Sequence, residues 1–220
     1  MPYRMPTYKV LELLQVDPEC GVRAQEISAR RAQYGANEFE REQKASVLKM
    51  LADQVRDPMI IILLAGALIS AFLREFIDAG IIVAVVALNA LIGVMQQYRS
   101  EKALEALKDM SSPRSRVLRD GEVRLIDSRE LVVGDLVYLE SGNIVPADLR
   151  LLETMAFKCE ESTLTGESDS IEKDATLLYQ EELNPGDQRN MAFMSTIVTS
   201  GHGLGIVVRC AKDSEVGKIA

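Results

Sequence analysis

Residues Cys159-Glu160-Glu161-Ser162-Thr163-Leu164-Thr165-Gly166-Glu167-Ser168 gather carboxylates, hydroxyls and one glycine in a short span. Gly166 permits a φ that other residues avoid, and so can set the direction in which Glu167 points. A carboxylate held on such a turn can position a water or accept its proton. The same residue types also make ordinary polar loops, and taken alone they favour that plainer reading. Few other constellations compete. His202 is the single histidine, which argues against a His-based metal site or a Ser/His dyad. Cys20, Cys159 and Cys210 lie far apart, with neither metal-ligand spacing nor a disulfide framework, as suits a reducing compartment.

The elements that must position this string read as β-structure. Val117-Leu118 and Val123-Arg124-Leu125-Ile126 flank Asp120-Gly121, a hairpin signal. Leu136 to Leu139 follows Gly134-Asp135 and ends at Ser141-Gly142-Asn143, and Pro146-Ala147-Asp148 turns into Leu149 to Leu152. After a polar stretch at 169–190, Ile197-Val198 and Ile206-Val207-Val208 surround a Gly-rich turn at 201–205. Many short strands at this spacing predict a small sandwich, barrel or jelly roll over 116–220. Upstream, Val10, Leu11 and Leu14 recur at helical spacing, Gln25 to Tyr34 forms a second helix that Gly35 can end, and Lys44 to Val55 a third.

Between these regions lie two charge-free runs, Pro58 to Leu73 and Ala79 to Met95, separated by Arg74-Glu75-Phe76-Ile77-Asp78. Each covers roughly 24–26 Å, a little short of the ~30 Å hydrocarbon core, and flanking residues can extend them. A buried helical hairpin of a soluble domain is the alternative, disfavoured because the runs are apolar on every face. Asn89 is expected to make an interhelical hydrogen bond. Lys44, Lys49 and Arg56 precede the hairpin and Arg99, Lys102 and Lys108 follow it, while the connection holds only Arg74. The positive-inside rule then places both ends in the cytoplasm. A helix continues from Gln96 to Leu107. The expected organisation is a cytoplasmic helical region at 1–57, a transmembrane helical hairpin at 58–96, a stalk helix and linker at 97–115, and a β domain at 116–220. A net charge of −8 without any basic run speaks against nucleic acid. No apolar h-region follows Met1, so no cleavable signal peptide is expected.

Thr165-Gly166-Glu167-Ser168, preceded by Glu161-Ser162-x-Leu164, resembles the TGES loop of the P-type ATPase actuator domain. Further matches follow in the family's order: Val133-Gly134-Asp135, Gly142-x-x-Val145-Pro146-Ala147-Asp148, Asn190-Met191-Ala192-Phe193 with Gly201-x-Gly203, and Glu215 to Ala220. Tyr34-Gly35-Ala36-Asn37-Glu38 is similar to the YGxNE of the family's N-terminal region, and Asp57-Pro58 before the first apolar run is also similar. Among these pumps the chain looks most like type II and its calcium branch.

The resemblance implies an all-β, distorted jelly-roll actuator domain. It also implies catalytic roles for Glu167, which orients and partly deprotonates water at an aspartyl-phosphate, and for Thr165 and Gly166, which shape the loop. Glu160 and Glu161, outside the triplet, are expected to matter much less. No DKTG sequence occurs here, so ATP and Mg2+ are implied only for the complete pump, and this chain by itself should hold no cofactor or metal and be inactive. Implied partners are membrane lipid and the pump's C-terminal phosphorylation, nucleotide-binding and transport domains, in the plasma membrane of a prokaryote. The other reading is a truncated, non-catalytic, membrane-anchored β domain serving as accessory or scaffold. Departures from the family pattern are Glu160 for Asp, Asp169-Ser170 for an apolar residue and Pro, Arg23 for a helix-capping Ser or Thr with Glu26 keeping the carboxylate half of a capping box, Ser195 for Gly, and Cys210-Ala211 for Thr-Gly.

Overall fold

The structure is a computed structural model and describes residues 1–39, 56–110, 113–166 and 169–219. Its contacts divide the chain into two compact units: Met1–Glu40 with Ser112–Ala220, and Arg41–Ser111. The first holds α1 (Thr7–Leu14) and α2 (Ala24–Tyr34), followed after the second unit by β1 (Arg114–Arg119), β2 (Glu122–Asp127), β3 (Leu136–Glu140), β4 (Asp148–Glu160), a short helix at Ser162–Thr165, β5 (Ser170–Glu172), β6 (Met191–Ala192) and β7 (Ile197–Arg209). The third expected helix, at 44–55, lies outside the described residues.

The strands pair antiparallel in the order β2-β1-β3-β7-β4-β5, with β6 beside β4. Arg119 pairs with Glu122, which leaves Asp120-Gly121 as a two-residue turn with both φ values positive, 51° and 76°. That is the conformation for which Asp-Gly is selected. The two longest strands, β4 and β7, shift register several times along their pairing. At one shift Gly201 takes φ +73°, and a Cβ there would stand 2.3 Å from the carbonyl oxygens of Met155 and Ala156. Only glycine lets the two backbones approach this closely.

Strands β1, β3 and β7 carry consecutive apolar residues because both of their faces are covered. Val117, Val137 and Val207 pack with Leu149, Leu151, Phe157 and Val198. Their neighbours Leu118, Leu136 and Ile206 pack with Val10, Val16 and Val22 of the N-terminal segment. Each such burial is worth roughly 1.5–3 kcal/mol. The N-terminal residues therefore complete the β unit's core, although the sequence patterning set them apart.

Polar groups lock this docking. The Asn37 amide donates to the carbonyls of Ser128 (2.9 Å) and Pro146 (2.8 Å), and its oxygen accepts from Ala211 N (3.0 Å). The buried Arg150 donates to the carbonyls of Leu151, Ala175, Asn190 and Met5, and Asn190 Nδ2 donates to Tyr3 O. Arg23 provides no side-chain cap for α2, and Glu26 does not act as half of a capping box. Its carboxylate instead accepts from Arg30, which also donates to Leu14 O and Val133 O. The cap comes from far along the chain: Ala24 N donates to Asp120 Oδ1 at 3.1 Å.

The second unit's described part is an antiparallel helical hairpin, α3 (Pro58–Phe72) and α4 (Phe76–Met110); the short helix at Ser162–Thr165 is α5. Asp57 caps α3 by accepting from Met59 N at 2.8 Å, with Pro58 in the first turn, where its missing N–H costs nothing. Arg74, at φ 65°, reverses the chain. Ile60, Ala67, Ala79, Val86 and Ala90 are buried, and three of these five are alanines that let helices approach. Asn89 does not make the expected interhelical bond. It is exposed, with no hydrogen bond among the described residues, because its neighbour Ala90 takes the buried position. By length and composition α4 can cross a membrane, and α3 is a shorter apolar helix. Large apolar side chains such as Ile62, Leu68, Phe72 and Ile77 are exposed on both.

Candidate functional site

Strands β4 and β5 form a hairpin paired at Lys158–Glu172, Cys159–Ile171 and Glu160–Ser170. Its loop carries Glu161-Ser162-Thr163-Leu164-Thr165-Gly166-Glu167-Ser168. The loop winds about one acceptor, the carbonyl of Glu161, which receives Leu164 N (2.9 Å), Thr165 N (2.9 Å) and Thr165 Oγ1 (3.1 Å). Gly166 N donates to Ser162 O at 2.9 Å, and Gly166 ends α5 in the left-handed region at φ 78°, ψ −2°. A Cβ at Gly166 would meet nothing within 4 Å, so backbone conformation rather than space requires glycine. Ser162 Oγ donates to Glu160 Oε1 at 2.9 Å. On the loop's inner side Leu164 packs against the cluster of Tyr3, Met191 and Phe193. The Thr165 methyl abuts Gly186, where a Cβ would stand 2.6 Å away. Thr165 and Gly166 are thus brought together at an exposed tip. Glu167, the carboxylate that follows them, lies outside the described residues together with Ser168. Downstream of these two residues, Ser170 pairs in β5 and accepts a 3.0 Å hydrogen bond from Thr199 Oγ1.

Beneath the tip lies a feature that sequence reasoning missed. Glu161 Oε1 meets Lys173 Nζ at 2.5 Å, and both side chains are 0% exposed. Burial pushes the Glu161 carboxyl above its ordinary range, against the pull of the Lys173 charge. The ammonium also lies 5.5 Å from the centroid of the Phe193 ring. The one available signal was alternation: Ile171 and Lys173 stand two apart and so face the same side of a strand. The neighbouring Cys159 thiol is pushed up to about 12 by burial, which keeps it protonated and inert.

Two other motif carboxylates serve the fold. Asp135 takes a bidentate pair from Arg119 (2.8 and 2.6 Å) and accepts from Val132 N (2.8 Å). Asp148 accepts from Met194 N (3.0 Å) and Glu215 N (2.9 Å) and meets Arg209 Nε at 3.1 Å. Burial raises the Asp148 carboxyl, with those N–H groups and Arg209 opposing. Both are fully buried and out of reach of any external substrate. Among the described residues no three His, Cys, Asp or Glu side chains come together as they would to hold a metal ion.

A family model described as the P-type ATPase actuator domain matches residues 109–220, and one described as the N-terminus of cation transporters/ATPases matches residues 2–70. The chain belongs to the P-type ATPases. It is 46% identical over 211 residues to calcium-transporting ATPase 1 of Bacillus cereus, covering 94% of this chain and 24% of that protein. It is 40% identical to the calcium-transporting ATPase of Bacillus subtilis (99% of this chain, 24% of that one). It is also 40% identical to the sodium/potassium exporting P-type ATPase 1 of Saccharomyces cerevisiae (91% and 18%). The chain spans about a quarter or less of the length of these relatives. The actuator match takes in the whole sheet and the β4–β5 loop, and the N-terminal match takes in α1, α2 and all but the last two residues of α3, while α4 falls almost wholly between the two matches.

Proposed function

We propose that this chain is the N-terminal part of an ATP-driven cation pump, with calcium as the ion, and that its β unit hydrolyses an aspartyl-phosphate carried by a domain outside it. The reading is carried by one observation: an exposed Thr165–Gly166 turn, clamped at its base, leads directly into Glu167. In this role Glu167 orients the attacking water and takes its proton, while Thr165 and Gly166 shape the loop around the phosphoryl group. Positioning and proton acceptance suit a phosphoryl transfer with a loose transition state. ATP with Mg2+ would supply the phosphoryl group, bound by the pump's C-terminal domains, which are the partners of this chain. The calcium assignment follows the names of the bacterial relatives.

The hairpin is the membrane part, with lipid around its exposed apolar side chains and both ends in the cytoplasm of a prokaryotic cell. At about 1.5 Å per residue α3 spans roughly 22 Å, so flanking residues or local thinning must make up the ~30 Å core. The far end of α4, beyond Gln97, would carry rotation of the β unit to the ion gates.

The test is a chimaera in which this chain replaces the matched residues of the Bacillus cereus relative. Glu167→Gln keeps size but cannot accept a proton. It should still take phosphate from ATP, then lose it about 10²–10⁴-fold more slowly, or roughly 3–5 kcal/mol of barrier. Glu160→Gln should cost much less. Normal dephosphorylation by Glu167→Gln would refute the assignment.

A further inference from the structure

We infer that Glu161 and Lys173 form a positioning ion pair that holds the Thr165–Gly166 turn in register; this rests on the reading of the loop given above. The pair bridges the two sides of the loop, Glu161 directly after β4 and Lys173 directly after β5. Three backbone pairs already close this hairpin, so the ion pair is not needed to bring the strands together. A buried ion pair is also a poor source of stability, because apolar residues of similar volume often do as well or better. What it supplies here is direction. Fixing the Glu161 carboxylate fixes the same residue's carbonyl, the acceptor for three of the turn's hydrogen bonds.

The backbone around Glu161 agrees with that role. Glu161 occupies the N-cap position of α5, where a carboxylate ordinarily accepts from the first turn's N–H groups. Its side chain caps nothing and turns inward to Lys173, while its backbone sits at φ −113°, ψ 25°. Neither Glu161 carboxylate oxygen has a hydrogen-bond donor among the described residues, and the approach of Lys173 Nζ to Oε1 is the carboxylate's one charged contact there, so the carboxylate depends on Lys173. Lys173 in turn lies over Phe193, whose cluster also receives Leu164 from the turn itself. Moving the ammonium would therefore disturb the turn both at its acceptor and at its apolar anchor. Both carboxylate oxygens are shut off from solvent, so Glu161 acts on the loop and not on a substrate.

The test uses the chimaera with Glu161→Gln, Lys173→Met and the double variant. Each single change leaves one buried charge unpaired, whereas the double change leaves none. We expect all three to form phosphoenzyme from ATP at the ordinary rate. The single variants should lose it about 10–100-fold more slowly, the scale expected when a reacting group shifts by about an ångström. The double variant should recover most of that loss. Ordinary dephosphorylation in the single variants overturns the inference. So does a parallel loss of phosphorylation and dephosphorylation in the single variants, or a double variant no better than the worse single one. Glu167→Gln run alongside separates the two readings. If it slows dephosphorylation while the pair variants do not, only the pair's role is lost; if it does not, the functional reading itself goes.

Discussion

Replacing Asn37 with alanine should cost more than any other single polar change in the N-terminal segment. The side chain is 4% exposed and uses both amide hydrogens and its oxygen, toward Ser128 O, Pro146 O and Ala211 N. Alanine leaves the Pro146 carbonyl and the Ala211 N–H buried without partners, and leaves the Ser128 carbonyl with only the 3.3 Å bond from Leu131 N. At about 1–3 kcal/mol for each unsatisfied group, less what entering water restores, the loss is about 2–5 kcal/mol. That is a large share of the ~5–15 kcal/mol typical of a domain. Asn37→Asp should be no better at neutral pH, because it keeps the acceptor but sets a carboxylate oxygen against two carbonyls. Its folded-state carboxyl is then raised above the unfolded value. The variant is accordingly most nearly native at low pH and loses stability as pH rises through the window between the two values. Urea unfolding of the detergent-solubilised chain, followed by tyrosine near-UV circular dichroism, measures both. An Asn37→Ala variant within about 1 kcal/mol of the parent, or an Asn37→Asp variant insensitive to pH, would refute the reasoning.

Two further outcomes are expected. Ser195 is a non-glycine residue at φ 68°, where an L side chain crowds its own carbonyl, so Ser195→Gly should stabilise the β unit by about 0.5–1 kcal/mol after the extra unfolded-state freedom of glycine is subtracted, and thermal unfolding of the chain would show it. In intact cells, an impermeant maleimide should label Glu75→Cys from outside and leave Arg114→Cys untouched, with little background from the buried Cys159 and Cys210, both pushed up to about 12 by burial; the reverse pattern would invert the topology.

Much of the local structure was legible because local chemistry specifies it. Asp120-Gly121 forms the hairpin turn, Pro58 starts α3 behind an Asp57 cap, and Gly166 takes the positive φ that its place in the loop suggested. The two apolar runs emerge as the hairpin α3–α4. Gly35 takes a positive φ as anticipated, but with ψ 176° it leaves the helix extended and not left-handed. What was not legible is mostly non-local. Docking of the N-terminal segment was foreshadowed only by the double apolar steps Val117-Leu118, Leu136-Val137 and Ile206-Val207, more than a one-sided sheet needs. The α2 cap comes from Asp120, 96 positions away, so local inspection turned to Glu26, which Arg30 had already taken. Glu161 read as a loop carboxylate of little consequence because nothing near it in sequence shows that a lysine twelve positions on is buried against it.

The acidic residues of this chain divide by what surrounds them, and the division bears on how the loop can work. Asp135 and Asp148 are spent on backbone N–H groups and on the buried Arg119 and half-buried Arg209, which stiffens the turns at the starts of β3 and β4. The β4–β5 loop uses its backbone bonds, an apolar anchor and a buried ion pair to hold an exposed tip. A loop that meets a phosphoryl group on a separate domain cannot draw its rigidity from that domain, because it must already be ordered on arrival. Order built in beforehand lowers the entropic cost of the encounter and places the reacting carboxylate without further rearrangement. On the function proposed above, the rigidity belongs at the loop's base, and the exposed tip from Thr165 and Gly166 onward is what the phosphoryl group would meet.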